Sequence, residues 1–127
     1  MKKFTYFFAV LTMLAICFSS CKKAEPIIGT TWECIVFGEV IDSHTYDLYI
    51  TLSFENESQV IYTTCGYEPD YDCWYCNTGT FGTSPGSYTY KKSVVTVNVD
   101  NLPTMTGTVN GNTMTLNGQV FVKKQTE

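Results

Sequence analysis

Apolar and polar side chains alternate with a period of two along most of this chain, and past the N-terminal segment no stretch shows a 3.6-residue apolar period. The run from Tyr46 to Phe54 is the clearest case. Tyr46, Leu48, Ile50, Leu52 and Phe54 share one face, while Asp47, Thr51 and Ser53 take the other. The polar turn 55–58 follows, and Val60 and Tyr62 continue on a return strand. Trp32, Cys34 and Val36 alternate in an earlier strand. Tyr88 and Tyr90 lead through Lys91-Lys92-Ser93 into Val95, Val97 and Val99.

The C-terminal third carries two Asn-Gly pairs, Asn110-Gly111 and Asn117-Gly118. Asn-Gly is a strong hairpin signal, because a type I′ turn needs positive φ at both central residues. A two-residue turn at the first pair predicts Val109 opposite Asn112, Gly107 opposite Met114 and Met105 opposite Leu116. The same turn at the second predicts Met114 opposite Phe121. Both registers put Met105, Val109, Met114, Leu116 and Phe121 on one face, with Thr104, Thr106, Thr108, Thr113 and Thr115 on the other. One apolar and one hydroxylated face suit a sheet with one buried and one wet side.

Eight or nine short strands joined by local turns predict an all-β fold, an up-and-down antiparallel barrel in which closure removes the sheet edges. A two-sheet sandwich is the alternative. Trp32, Tyr62, Phe81, Tyr88, Tyr90, Met105, Met114 and Phe121 are expected to point inward. They either fill the barrel or line a small apolar pocket, with Gly107 leaving room.

The N-terminus has a different pattern. Lys2 and Lys3 precede an apolar run from Phe4 to Phe18, too short for a spanning helix, and Ser19-Ser20 precede Cys21. This reads as a lipoprotein signal over residues 1–20, with Cys21 as the acylated (palmitate-type) first mature residue. A tether follows over 21–28 and the barrel domain over 29–124. The expected address is the cell envelope of a Gram-negative bacterium, on the outer membrane facing the periplasm.

Charge narrows the partners. The chain has no arginine, and from Cys21 onward six lysines stand against twelve carboxylates. A nucleic-acid partner is not expected, because phosphate neutralisation needs a basic patch. Lys22 and Lys23, beside the anchor, either touch anionic headgroups or are simply solvated.

Of the six cysteines, Cys17 leaves with the signal and Cys21 carries lipid. Cys34, Cys65, Cys73 and Cys76 remain, and two disulfides are the expectation for an exported chain. Cys65 with Cys76 would close the base of the segment between them. Cys34 with Cys73 would fold that segment over the barrel mouth.

Gly29-Thr30-Thr31-Trp32, Leu52-Ser53-Phe54 before its acidic turn, Gly86-Ser87-Tyr88-Thr89-Tyr90 and the run 107–116 resemble the lipocalin-like domains of Bacteroidetes-type lipoproteins. The resemblance spans about 29–124. It implies a small barrel on a lipid anchor and does not carry a ligand. Lipocalins open on Gly-x-Trp and stack an arginine over that tryptophan. Here one extra residue intervenes, and Lys123 or Lys124 is the nearby basic candidate.

Segment 65–76 concentrates the remaining chemistry, with three cysteines, three carboxylates and four aromatics. It reads as a stapled loop in which Tyr67, Tyr71, Trp74 and Tyr75 can anchor a partner. Cys73-Trp74-Tyr75-Cys76 has the spacing of a dithiol redox motif but no helix N-terminus to activate it. Glu68, Asp70 and Asp72 lack the pattern of a calcium loop and read as solvated. His44, the only histidine, reads as an exposed turn residue. No catalytic, metal or cofactor motif is evident. The expectation is a non-enzymatic exported lipoprotein that binds a small hydrophobic or amphipathic ligand in the barrel or at its mouth, through Trp32, Tyr62, Tyr88, Tyr90, Met105, Met114 and Phe121. The alternatives are an interaction or inhibitor module using the 65–76 loop, and a redox protein using Cys73 and Cys76.

Overall fold

In a computed structural model, which describes residues 26–125, the alternating pattern becomes nine antiparallel strands. They are β1 (Thr31–Ile41), β2 (His44–Phe54), β3 (Gln59–Glu68), β4 (Cys73–Tyr75), β5 (Thr83–Lys91), β6 (Val94–Val99), β7 (Met105–Asn110), β8 (Thr113–Leu116) and β9 (Gln119–Lys123). Strands β1, β2, β3, β5, β6, β7, β8 and β9 pair in that order, and β9 returns to β1, so eight strands close an up-and-down barrel. β4 is extra. The edge of β3 that faces away from β2 pairs with β5 over Gln59–Thr63 and with β4 over Gly66–Glu68. The signal segment, Cys21, Lys22 and Lys23 lie outside the described residues.

Turn chemistry sets the registers. Asp42-Ser43, Lys92-Ser93 and Asn117-Gly118 all have positive φ at both positions, the type I′ geometry that follows the natural twist of a hairpin. Asn117-Gly118 pairs Leu116 with Gln119 and Met114 with Phe121, as its spacing predicts. The first Asn-Gly pair behaves differently. The tight turn is Gly111-Asn112, with only Gly111 at positive φ, and it sets Val109 opposite Met114 and Gly107 opposite Leu116. The register is two residues from the predicted one. A shift of two preserves which face each side chain takes, so the apolar face stands.

The barrel interior is filled. Trp32, Leu52, Phe54, Val60, Val95, Val97, Met114, Leu116 and Phe121 are essentially fully buried, and Val36, Tyr62, Tyr90, Met105 and Val109 pack against them. Gly107 leaves no void. A methyl there would run into the Thr115 carbonyl, so the glycine lets β7 and β8 approach closely. The lower end is closed by Ile27, with Gly29 N–H donating to the Phe54 carbonyl at 2.7 Å. Trp32 donates from Nε1 to Thr30 Oγ1 at 2.8 Å, and Lys123 Nζ lies 5.8 Å from the Trp32 ring centroid, the basic residue over the tryptophan.

The upper end is uneven. β1, β2 and the top of β3 run past the rim, and β4 is added beside them. Residues 35–41, 44–49, 64–68 and 73–75 therefore form a four-stranded overhang above the barrel. Segment 65–76 is accordingly a β-hairpin and not a loop, and His44 opens β2 opposite Ile41.

Candidate functional site

The overhang has two faces because its strands keep the barrel's alternation. Val60, Tyr62, Thr64, Gly66 and Glu68 lie on the inner side of β3, with Tyr46 and Leu48 on β2 and Cys73 and Tyr75 on β4. Phe81, from the β4–β5 connection, covers Gly66. A Cβ at Gly66 would lie 2.5 Å from the Phe81 ring, so only glycine lets the ring sit against the strand. Tyr46 packs edge-on against both Tyr75 and Phe81, with ring centroids 5.8 and 5.2 Å apart.

Glu68 sits under this aromatic shelf and is only 3% exposed. Its two carboxylate oxygens are both engaged: Tyr75 O–H donates to Oε1 at 3.1 Å, and His44 Nδ1 lies 2.7 Å from Oε2. The His44 side chain remains 51% exposed, so the pair bridges the buried face and solvent. Cys73 beside its hydroxyl, and then the Glu68 carboxylate, push the ionisation of Tyr75 well above the ordinary phenol range, because both oppose a phenolate. Tyr75 therefore stays a neutral donor. Glu68 was expected to be solvated and is instead buried; His44 is exposed, as expected, but it opens β2 instead of lying in the turn and is paired with Glu68. The missed signal is parity: Glu68 lies an even number of residues from Val60 on one strand.

The outer face is aromatic and stapled. Cys65 on β3 and Cys76, the residue that follows β4, have Cα atoms 4.2 Å apart and form the expected bridge. Trp74 lies between Tyr49 and Tyr67, at centroid distances of 4.7 and 4.9 Å. Tyr67 O–H donates to Asp72 Oδ1 at 2.6 Å. Trp74 is nonetheless 53% exposed, Tyr71 in the β3–β4 turn is 68% exposed, and Phe37 on β1 is 72% exposed. Of the four expected anchors, Tyr67, Tyr71 and Trp74 are on this face or its turn, whereas Tyr75 points inward to Glu68.

The second expected bridge is not formed: Cys34 and Cys73 are free thiols. Register explains why. Cys34 is level with Ile50 and Thr64, while Cys73 is opposite Glu68, with β2 and β3 between. At about 4.8 Å per strand and 3.4 Å per residue, they are far outside the ~7 Å Cα limit of a disulfide. Burial pushes the Cys34 thiol pKa up, which disfavours the reactive thiolate. Cys73 and Cys76 do not pair either. Cys73 opens β4 on its inner side, and Cys76, just past the strand, is already bonded to Cys65.

The expected ligand residues are brought together, but as packing. Trp32, Tyr88, Met114 and Phe121 are buried in the core, with Tyr90 and Met105 against it. Tyr62 alone among them reaches a sizeable depression. This has a volume of about 310 Å³ and lies at the mouth between the β4–β5 connection and the β6–β7 turn, where Phe81, Val99 and Leu102 also line it.

Charge is separated along the barrel axis. Glu39, Asp42, Asp47, Glu68, Asp70, Asp72 and Asp100 all lie at the upper end, where no described lysine is found. Lys91, Lys92, Lys123 and Lys124 lie at the lower end among Glu33, Glu55 and Glu57, with Lys124 Nζ 3.8 Å from Glu33. Among the described residues no cluster of three or more His, Cys, Asp or Glu is placed to hold a metal ion. Comparison with family models, with curated proteins and with solved structures finds no match.

Proposed function

We propose that this chain is an envelope-anchored interaction module of lipocalin-like build. Cys21 is acylated and tethers the lower end. The packed barrel is a rigid support, and the overhang is its working surface, docking a protein partner through Trp74, Tyr71 and Phe37. One contrast carries this reading. Trp32, Phe54, Met114 and Phe121 inside the barrel are wholly buried, whereas Phe37, Tyr71 and Trp74 on one stapled projection are more than half exposed. Exposed aromatics held on a rigid element are what a docking anchor requires.

Mass spectrometry of the membrane-extracted, non-reduced protein tests the anchor: a diacyl or triacyl Cys21 is expected, and an unmodified N-terminus refutes it. A photo-crosslinking residue at position 74, in intact cells, tests the docking face. One discrete protein adduct is expected there and none from position 106 on the threonine face. Equal labelling at both positions, or none at 74, overturns the reading.

The depression beside Tyr62 and Phe81 favours a second reading, a small amphipathic ligand at the mouth. Its volume is at the lower limit of ordinary ligand sites. A Leu102→Trp variant, which fills it, would abolish such binding while leaving the adduct at position 74 intact.

A further inference from the structure

The ladder between β1 and β9 consists of Trp32 with Lys123 and Glu33 with Val122, and it stops there. β1 continues to Ile41, still paired on its other side to β2. Among the described residues no strand pairs the second edge of β1 above Glu33. Backbone direction along that edge can be read from its neighbours. The Thr30 carbonyl accepts from Phe54 N–H of β2 at 3.0 Å, and the Thr31 carbonyl accepts from Lys124 N–H on the β9 side at 2.8 Å. Alternation then turns the N–H and C=O of Glu33, Ile35 and Phe37 toward the β9 side. The groups of Ile35 and Phe37 thus line an open edge. Around it are exposed apolar side chains: Ile35, Phe37 and Val40 on β1, with Val120 and Val122 across the seam on β9. The register shift between Val36 and Glu39, with Gly38 at positive φ, ends the straight run.

Resting on the docking reading above, we propose that this edge, from Cys34 to Phe37, takes an extended basic segment of the partner protein as an added strand. An unpaired edge supplies backbone hydrogen bonds, and alternate side chains supply selectivity. Charge decides the occupant. The upper end carries seven carboxylates and no described lysine. A second copy of this chain would bring the same charges against them, whereas a lysine- or arginine-bearing strand would be steered in.

The test uses the mature lipidated protein in detergent micelles and a fluorescent ten-residue peptide of alternating lysine and valine, read by anisotropy. Saturable binding is expected, weakening at higher salt. A peptide alternating glutamate and valine is expected not to bind. N-methylation of every peptide amide is expected to weaken binding at least tenfold, because it removes the donors and leaves the charge. Ile35→Pro is expected to do the same, since it deletes an N–H on the open edge and none that β2 uses. Circular dichroism and the urea midpoint confirm that the variant is folded, and the N-methylated peptide tests the idea on the unaltered protein. No binding, or binding indifferent to both changes, overturns strand addition. Dimerisation abolished by Ile35→Pro would assign the edge to a second copy and overturn the choice of a basic partner. Crosslinking from position 74 reports separately. An adduct there that survives Ile35→Pro, with the peptide unaffected by N-methylation, leaves the docking face standing and removes only the edge; no adduct at 74 sinks the docking reading itself.

Discussion

Replacing Cys65 and Cys76 together by alanine tests how the working surface is held. The bridge closes a segment of 11 residues in sequence separation. In the chain-entropy account a loop of that length lowers unfolded-state entropy by about 9 cal/mol/K, or about 2.8 kcal/mol at 25 °C. β4 has little else along its backbone: three registered pairs with β3, from Gly66–Tyr75 to Glu68–Cys73. A domain of this size typically has about 5–15 kcal/mol of net stability, so the bridge is a sizeable share. Urea titration of the double variant is expected to show a loss approaching that figure. If β4 releases on its own, the midpoint shifts less and the amides of Gly66, Glu68, Cys73 and Tyr75, whose backbone groups face each other across the β3–β4 ladder, exchange faster, while those of β6 and β8 do not. The two tryptophans separate the cases, because Trp32 reports the core and Trp74 the overhang. A stability loss below about 0.5 kcal/mol together with unchanged β4 protection would refute the argument. The Trp74 ring contacts and the Glu68 contacts would then be sufficient to hold β4.

Gly107→Ala is expected to destabilise by about 1–3 kcal/mol or more, as overpacking against a backbone carbonyl does, measured by urea unfolding. His44→Ala removes one of the two partners of a buried carboxylate and should destabilise by about 1–3 kcal/mol; His44→Ala in a Glu68→Gln background should cost clearly less, and equal costs would show the pair uncoupled. Tyr75 ionises at 10.0 in the unfolded chain and higher when folded. Between those values the native state keeps a proton that the unfolded state has lost. This contribution to stability is therefore intact below about pH 10 and falls as pH rises through the window, and Tyr75→Phe should flatten the fall in an alkaline titration of the urea midpoint. In native protein, Cys34 should react with a thiol reagent only as fast as the barrel opens, and Cys73 faster; similar rates would contradict the burial of Cys34.

Most of the barrel was legible because its information is local. Tyr46–Phe54 announces its face by alternation, and Asn117-Gly118 announces its turn. Asn110-Gly111-Asn112 offers two overlapping tight turns. Their registers differ by two, so alternation cannot distinguish them, yet the buried face is the same for both. The overhang was harder to read because its inner positions are not apolar. Thr64, Gly66 and Glu68 continue the parity of Val60 and Tyr62, but a threonine, a glycine and a carboxylate do not signal burial by type. The burial of Gly66 and Glu68 comes from Phe81, Tyr46 and Tyr75, which arrive from other elements. β4 is three residues long, too short for any period to show. Cys65 and Cys76 were assignable because they bound one short segment, whereas pairing Cys34 required a register across three strands.

The length of β1 and β2 has a mechanical consequence. A pull between the N-terminal tether and the overhang runs lengthwise down β1, which enters the barrel at its lower end and rises out of its upper one. Such a load is shared at once among nine registered positions along β2, instead of being applied to one rung after another. The two-position seam with β9, at Trp32 and Glu33, adds to that ladder at its lower end. Were the chain anchored at its N-terminal pole and held at the overhang, as proposed above, the stretching load would fall along the axis on which the β1–β2 ladder resists as a whole.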